Sequence, residues 1–235
     1  MKVFYADHFV LPLPDGHRFP MRKYSMLREA VQAFAPQTLE GAPAARDDEL
    51  LLAHDAAYVA RMSNGTLTAN EVRQIGFPWS PGMAERARRS AGATIAAARA
   101  SLRDRCGINL AGGTHHAFAD HGEGFCCYND AAVAARVLQR DCTVGRVLIC
   151  DLDVHQGNGT ARIFAGDASV FTFSMHGERN YPVRKEQSSL DVELPDGCTD
   201  APYLAALRDH LPRIVRSYEP EAIIYLAGAD PFEGD

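Results

Sequence analysis

The segment Val147-Leu148-Ile149-Cys150 offers no polar side chain to water on either face. As a strand it is stable only inside a sheet covered on both sides, which is the usual setting of parallel strands. Similar short apolar runs predict strands at 3–6, 108–111, 146–152, 170–175 and 222–227. Between them lie Ala- and Arg-rich stretches with helical character at 21–34, 47–62, 81–103, 130–140 and 200–218. The third of these starts with Ser80 as a predicted N-cap and Pro81 at the first helical position. Strands alternating with helices imply parallel pairing through crossover helices, hence an α/β layered fold with helices on both faces of the sheet. No repeat or linker interrupts the 235 residues, and one domain over 1–235 is expected.

Composition narrows the partners. Lys+Arg 24 against Asp+Glu 30 gives a net charge of -6, so a nucleic-acid partner held by a basic surface is not expected. No apolar run approaches the ~18 residues needed to span a bilayer, and the N-terminus meets Asp7 before a signal-type apolar region develops. Six cysteines without a Cys-x-x-Cys pair predict reduced thiols and a cytoplasmic location.

In parallel sheets chemistry collects beyond the carboxyl ends of the strands. Three such ends carry polar groups here. Gly112-Gly113-Thr114-His115-His116 places two histidines after a glycine turn; taken alone, such a pair is more often incidental. Asp151-Leu152-Asp153-Val154-His155 follows the most apolar strand directly. If strand geometry persists, residues 151, 153 and 155 share one face, and a cation would offset the cost of gathering their charges. Gln156-Gly157-Asn158-Gly159 then predicts a tight turn. Ala227-Gly228-Ala229-Asp230 adds a third carboxylate after another apolar strand. Two Asp and one His with an open position form a donor set suited to a catalytic transition ion.

Taken together, these motifs resemble the histone deacetylase family of the arginase–deacetylase superfamily. The resemblance rests on His17-Arg18-Phe19-Pro20, Gly112 to His116, Gly122-Glu123-Gly124-Phe125-Cys126, Asn129-Asp130, Asp151 to Gly159 and Ala227 to Asp230. Gln156-Gly157-Asn158-Gly159, Tyr181-Pro182 and Glu233-Gly234-Asp235 look most like the class IV branch and its bacterial relatives. Arginase fits less well, because its paired metals need a further Asp where this chain has Gln156-Gly157-Asn158.

The resemblance implies a three-layer arginase/deacetylase-type fold and removal of acetyl or longer acyl groups from lysine side chains. Asp153, His155 and Asp230 would hold Zn²⁺, with Fe²⁺ as an alternative ion. His116 would act as general base and later as acid, beside Asn158. His115, paired with Asp151, would stay more cationic. Gly124, Phe125 and Tyr181 would wall the tunnel that admits the acyl-lysine stem. A structural K⁺ would bind at Asp151 and Ser174. Substrates would be acyl-lysine proteins or small acetylated amines such as polyamines; the oligomeric state is left open. The loop Gly76-Phe77-Pro78-Trp79-Ser80-Pro81 is either a tunnel rim or an ordinary packed loop. In the family a Gly-rich segment after the last Asp motif supplies an oxyanion-binding tyrosine. None of the eight tyrosines here has that context, so a C-terminally truncated domain is expected. Loss of such a donor costs about 10²–10³ in turnover, and the alternative is then a weakly active acyl-lysine binding protein.

Overall fold

The computed structural model describes residues 1–11 and 13–234; Asp235, the last member of the Glu233-Gly234-Asp235 motif, lies outside them. The chain divides into two compact units, Met1–Leu138 and Gln139–Asp235. Each has its own parallel sheet flanked by helices, the α/β class expected.

In the first unit β1 (Lys2–Tyr5), β2 (Leu39–Gly41) and β3 (Gly107–Asn109) form a sheet of order β2-β1-β3. Its helices are α1 (Lys23–Phe34), α2 (Asp47–Leu50), α3 (Ala56–Asn64), α4 (Ala69–Ile75), α5 (Pro81–Asp104) and α6 (Asp130–Cys142), the last running on into the second unit. The start of α5 is as its sequence predicts, with Pro81 in the first turn and Ser80 Oγ accepting from the Met83 N–H at 3.1 Å. Small residues on one face of α5 let it lie close on the sheet, and Ala93, Ala97 and Ala100 pack with Phe4 and Ala6.

The expected helix over 47–62 is broken between α2 and α3. The backbone at the break is committed elsewhere: the Asp55 N–H donates to the Ala119 carbonyl at 2.8 Å, and His54 Nδ1 lies 2.9 Å from the Phe118 carbonyl. These tertiary bonds to residues 118–119 replace a turn of local helix. Trp79 lies on the loop between α4 and α5. Its indole N–H donates to the Met62 carbonyl at 2.8 Å, so it packs against the end of α3.

In the second unit β4 (Val147–Asp151), β5 (Val170–Gly177), β6 (Leu190–Leu194) and β7 (Ala222–Leu226) form a parallel sheet of order β6-β5-β4-β7. Here α7 (Asn158–Ile163) follows β4, and α8 (Asp200–Tyr218) connects β6 to β7. Every residue of β4 is buried, as its apolar run demands. By contrast β7 is an edge strand with Ile223 53% and Tyr225 59% exposed. An apolar run therefore marks a strand without fixing whether both its faces are covered. Ile214 of α8 packs on Leu148, Cys150, Phe173 and Met175 to form the core. The register aligns Asp151 with Ser174 on one side and with Leu226 on the other, so the chain leaves β4 and β7 side by side.

All six cysteines are free. Among the described residues no helix is long and apolar enough to cross a membrane.

Candidate active site

Beyond β4 and β7 the structure gathers Asp153, His155 and Asp230. One ligand atom from each lies within 4.8 Å of the others. His155 Nδ1 is 2.9 Å from Asp153 Oδ1 and 3.0 Å from Asp230 Oδ2. The convergence has a different origin from the one expected. The strand ends at Asp151, and the chain then bends instead of alternating. The Asp153 N–H donates to Asp151 Oδ1 at 3.1 Å, and the His155 N–H to Asp153 Oδ1 at 2.9 Å. Each aspartate thus folds the backbone two residues on, as short acidic side chains do in turns. The Val154 N–H donates to Asp230 Oδ1 at 3.0 Å, tying the two strand ends together.

Asp153 first, and then Asp230, raise the pKa of His155 to about 9, partly offset by burial. The imidazole therefore keeps a proton between two carboxylates when no cation is present. A divalent ion that takes that proton's place satisfies all three side chains, which is how metal binding and proton release are coupled. Two carboxylates and one imidazole fit Zn²⁺ or Fe²⁺.

Gly228 keeps this arrangement compact. A Cβ there would stand 2.6 Å from Asp153 Oδ2 and 2.7 Å from its Cα. Gly228→Ala is expected to push Asp153 aside and to weaken retention of a divalent ion about 10-fold or more, within the range that misplaced support around a metal costs. Competition with a chelator, read by bound metal per chain, checks it.

Tyr181 stands beside the group, its ring edge-on to His155 at 6.1 Å between centroids. Gln156 holds that region in place. Its N–H donates to the Tyr181 carbonyl at 3.3 Å, and its amide both donates to the Glu186 carbonyl at 2.7 Å and accepts the Glu186 N–H at 2.8 Å. Asn158 is buried at the start of α7, so the expected turn after Gln156 opens into a short helix. Asp151 and Ser174, proposed for K⁺, are adjacent across β4 and β5 and both buried. Ser174 Oγ lies 2.9 Å from His176 Nδ1.

His115 and His116 belong to the first unit. They are 3% and 4% exposed, with ring centroids 4.1 Å apart. Their loop is clamped by Asn129 and Asp130, which the sequence shows only as a motif. Asp130 is 2% exposed and accepts the N–H groups of Gly113 and Thr114 at 3.2 and 2.8 Å. It also accepts the hydroxyls of Thr114 and Thr94 at 2.6 and 2.5 Å.

Gly124 and Phe125 lie on a loop pinned to α4. The Gly124 N–H donates to the Gln74 carbonyl at 3.0 Å, and the Phe125 N–H to the Ile75 carbonyl at 2.8 Å. Phe125 adopts a left-handed φ of 65°, which a bulky residue rarely does. Its ring sits among His17, Phe19 and Phe77, at centroid distances of 5.9, 5.3 and 5.2 Å. Gly76, at φ 83°, leaves room for it: a Cβ there would stand 2.8 Å from the Phe125 ring. His17 fixes the cluster by accepting the Phe19 N–H on Nδ1 at 3.1 Å and donating from Nε2 to the Gly76 carbonyl at 3.0 Å. The sequence shows His17 and Phe19 as motif members and Phe77 as loop, without the cluster they build around Phe125.

The model of the histone deacetylase domain matches residues 17–235, across both units. The chain belongs to the histone deacetylase family. An uncharacterized protein of Picosynechococcus sp. is 43% identical over 99% of this chain and 79% of its own length. Histone deacetylase 2 of Arabidopsis thaliana is 31% identical over 80% of this chain, and the match spans 51% of that protein. The crystal structure of the HDA15 HD domain superposes with a TM-score of 0.84 at 26% identity, covering all of this chain and 73% of that one. The fold is therefore that of a deacetylase domain.

Proposed function

We propose that the protein is a zinc-dependent deacylase that removes acetyl or longer acyl groups from lysine side chains, the two units serving as one catalytic domain. The observation that carries this is the Asp153–His155–Asp230 group, within a chain whose family match runs unbroken through both units. These three residues would hold the ion, and Asp151 with Ser174 a K⁺. The chemistry a Zn²⁺ held there would supply is Lewis acidity, which polarises an amide carbonyl and lowers the pKa of water towards ~7. His116 takes the water proton and returns it to the leaving amine, Asn158 lending it an uncharged partner. His115 would stabilise the developing negative charge. Two histidines in different settings divide the acid and base roles in this way. Phe125 and Tyr181 offer apolar walls to a methylene stem.

The test is hydrolysis of acetyl-lysine peptides, long-acyl-lysine peptides and acetylated polyamines, each with and without a zinc-chelating hydroxamate. Hydroxamate-sensitive release from the peptides is expected. Selective turnover of polyamines would redirect the proposal to small amines, and binding without turnover would refute hydrolysis.

A further inference from the structure

We propose that His54 is a positioning residue for the His115–His116 loop, acting as a neutral imidazole in a single fixed tautomer that passes its hold through Asn129. This rests on the catalytic assignment of His115 and His116 given above. His54 lies in the break between α2 and α3, is 3% exposed, and has both ring nitrogens engaged. Nδ1 is 2.9 Å from the Phe118 carbonyl, which can only accept, so Nδ1 carries the hydrogen. Nε2 is 2.9 Å from the backbone N–H of Asn129, which can only donate, so Nε2 carries a lone pair. One neutral tautomer satisfies both partners; a second proton would set N–H against N–H.

Asn129 is fully buried and extends the hold towards the loop. Its side-chain amide donates to the carbonyls of His115 and Ala117 at 3.4 and 3.1 Å, while its Oδ1 accepts the Ala132 N–H at 3.0 Å and so anchors it to α6. His54 thus holds the chain directly at Phe118, just after His115 and His116, and through Asn129 at the carbonyl of His115 itself. Burial holds the His54 pKa down at about 4, against the backbone carbonyls of Phe118 and Ala119 that favour the charged form. The rings packed on it, Tyr58 and Tyr128, have phenols that burial pushes up, and they stay neutral through the working range. The ring is therefore a fixed donor–acceptor and takes no part in proton transfer.

The experiment is ¹⁵N spectroscopy of the histidine rings in the zinc-loaded chain from about pH 5.5 to 8.5, a window around the ordinary histidine value. His54 is expected to remain the neutral Nδ1–H tautomer throughout; an Nε2–H tautomer or a charged ring in that window would overturn the proposal. His54→Leu and Asn129→Ala are expected to shift the ring ¹⁵N resonances of His115 and His116. They should also lower kcat by about 10–100-fold, as loss of an outer support does, with KM and bound zinc unchanged. His54→Gln keeps one donor and one acceptor and should restore most of the loss. Unmoved His115 and His116 ring resonances in a folded His54→Leu or Asn129→Ala variant, or no rescue by Gln, would refute the positioning role. If His54→Leu does not fold, the wild-type tautomer and Asn129→Ala decide. The ring resonances need no substrate, so a chain that hydrolyses nothing would defeat the functional proposal while leaving this one to stand or fall separately.

Discussion

Asp153→Asn is expected to abolish metal retention and, with it, hydrolysis. The substitution keeps the size of the side chain but removes a charge that faces His155 at 2.9 Å. Outer-shell losses around a metal cost about 10–100-fold, and loss of a ligand should exceed the upper end of that range. Metal per chain after dialysis and turnover of an acetyl-lysine peptide are the two readings. The metal-free variant gives a third. Asp153 is the largest cause of the raised His155 pKa, so the imidazole should fall back from about 9 towards its ordinary value. An Asp153→Asn variant that keeps stoichiometric zinc and full activity would remove the proposed metal centre.

Asp130→Ala is expected to cost the most stability of any single change away from the metal group. Four donors converge on this buried carboxylate, from Gly113, Thr114 twice and Thr94. Deleting the acceptor takes one partner from all four of these part-buried donors at once, and losing several hydrogen bonds to one buried carboxylate costs about 3–5 kcal/mol. For a chain of this size that corresponds to a fall in Tm of roughly 10 °C. Thermal unfolding of the metal-loaded chain measures it, and a change within about 0.5 kcal/mol, as at ordinary surface sites, would show that the Asp130 bonds hold nothing.

The stability cost of acid has a definite sign. His54 has a pKa of about 4 in the folded chain, below its ordinary 6.5. The unfolded state therefore binds more protons between these values. The contribution of His54 is full above about pH 6.5 and is lost as pH falls towards 4. Urea midpoints across that window should decline in the wild type, and the decline should be shallower in His54→Gln.

Much of this is legible from residue order, for identifiable reasons. α8 is legible to the residue because its helical stretch is long and bounded by polar and turn residues. The convergence of Asp153, His155 and Asp230 is legible because all three follow the ends of apolar strands. The geometry that joins them is not, since Asx turns after β4, and not strand alternation, bring Asp153 and His155 round. β2 and β6 escape notice because one has three residues and the other carries Asp191 and Glu193 among its apolar positions. His54 is invisible as well. A buried neutral imidazole and a surface one have the same letter, and only its two backbone partners, 64 and 75 positions away in sequence, tell them apart.

Gly76 and Phe125 have a consequence for how such a pocket could diversify. The absence of a side chain at 76 and the bulk of the ring at 125 occupy the same volume, so neither position can change alone in every direction. Enlarging residue 76 first would drive the ring out; shrinking residue 125 first would leave a void that a larger residue 76 could fill only while tolerating its left-handed backbone. Of the two orders, only the second avoids a steric clash midway. A lineage or a library that reshapes this wall should therefore show substitutions at 125 preceding those at 76.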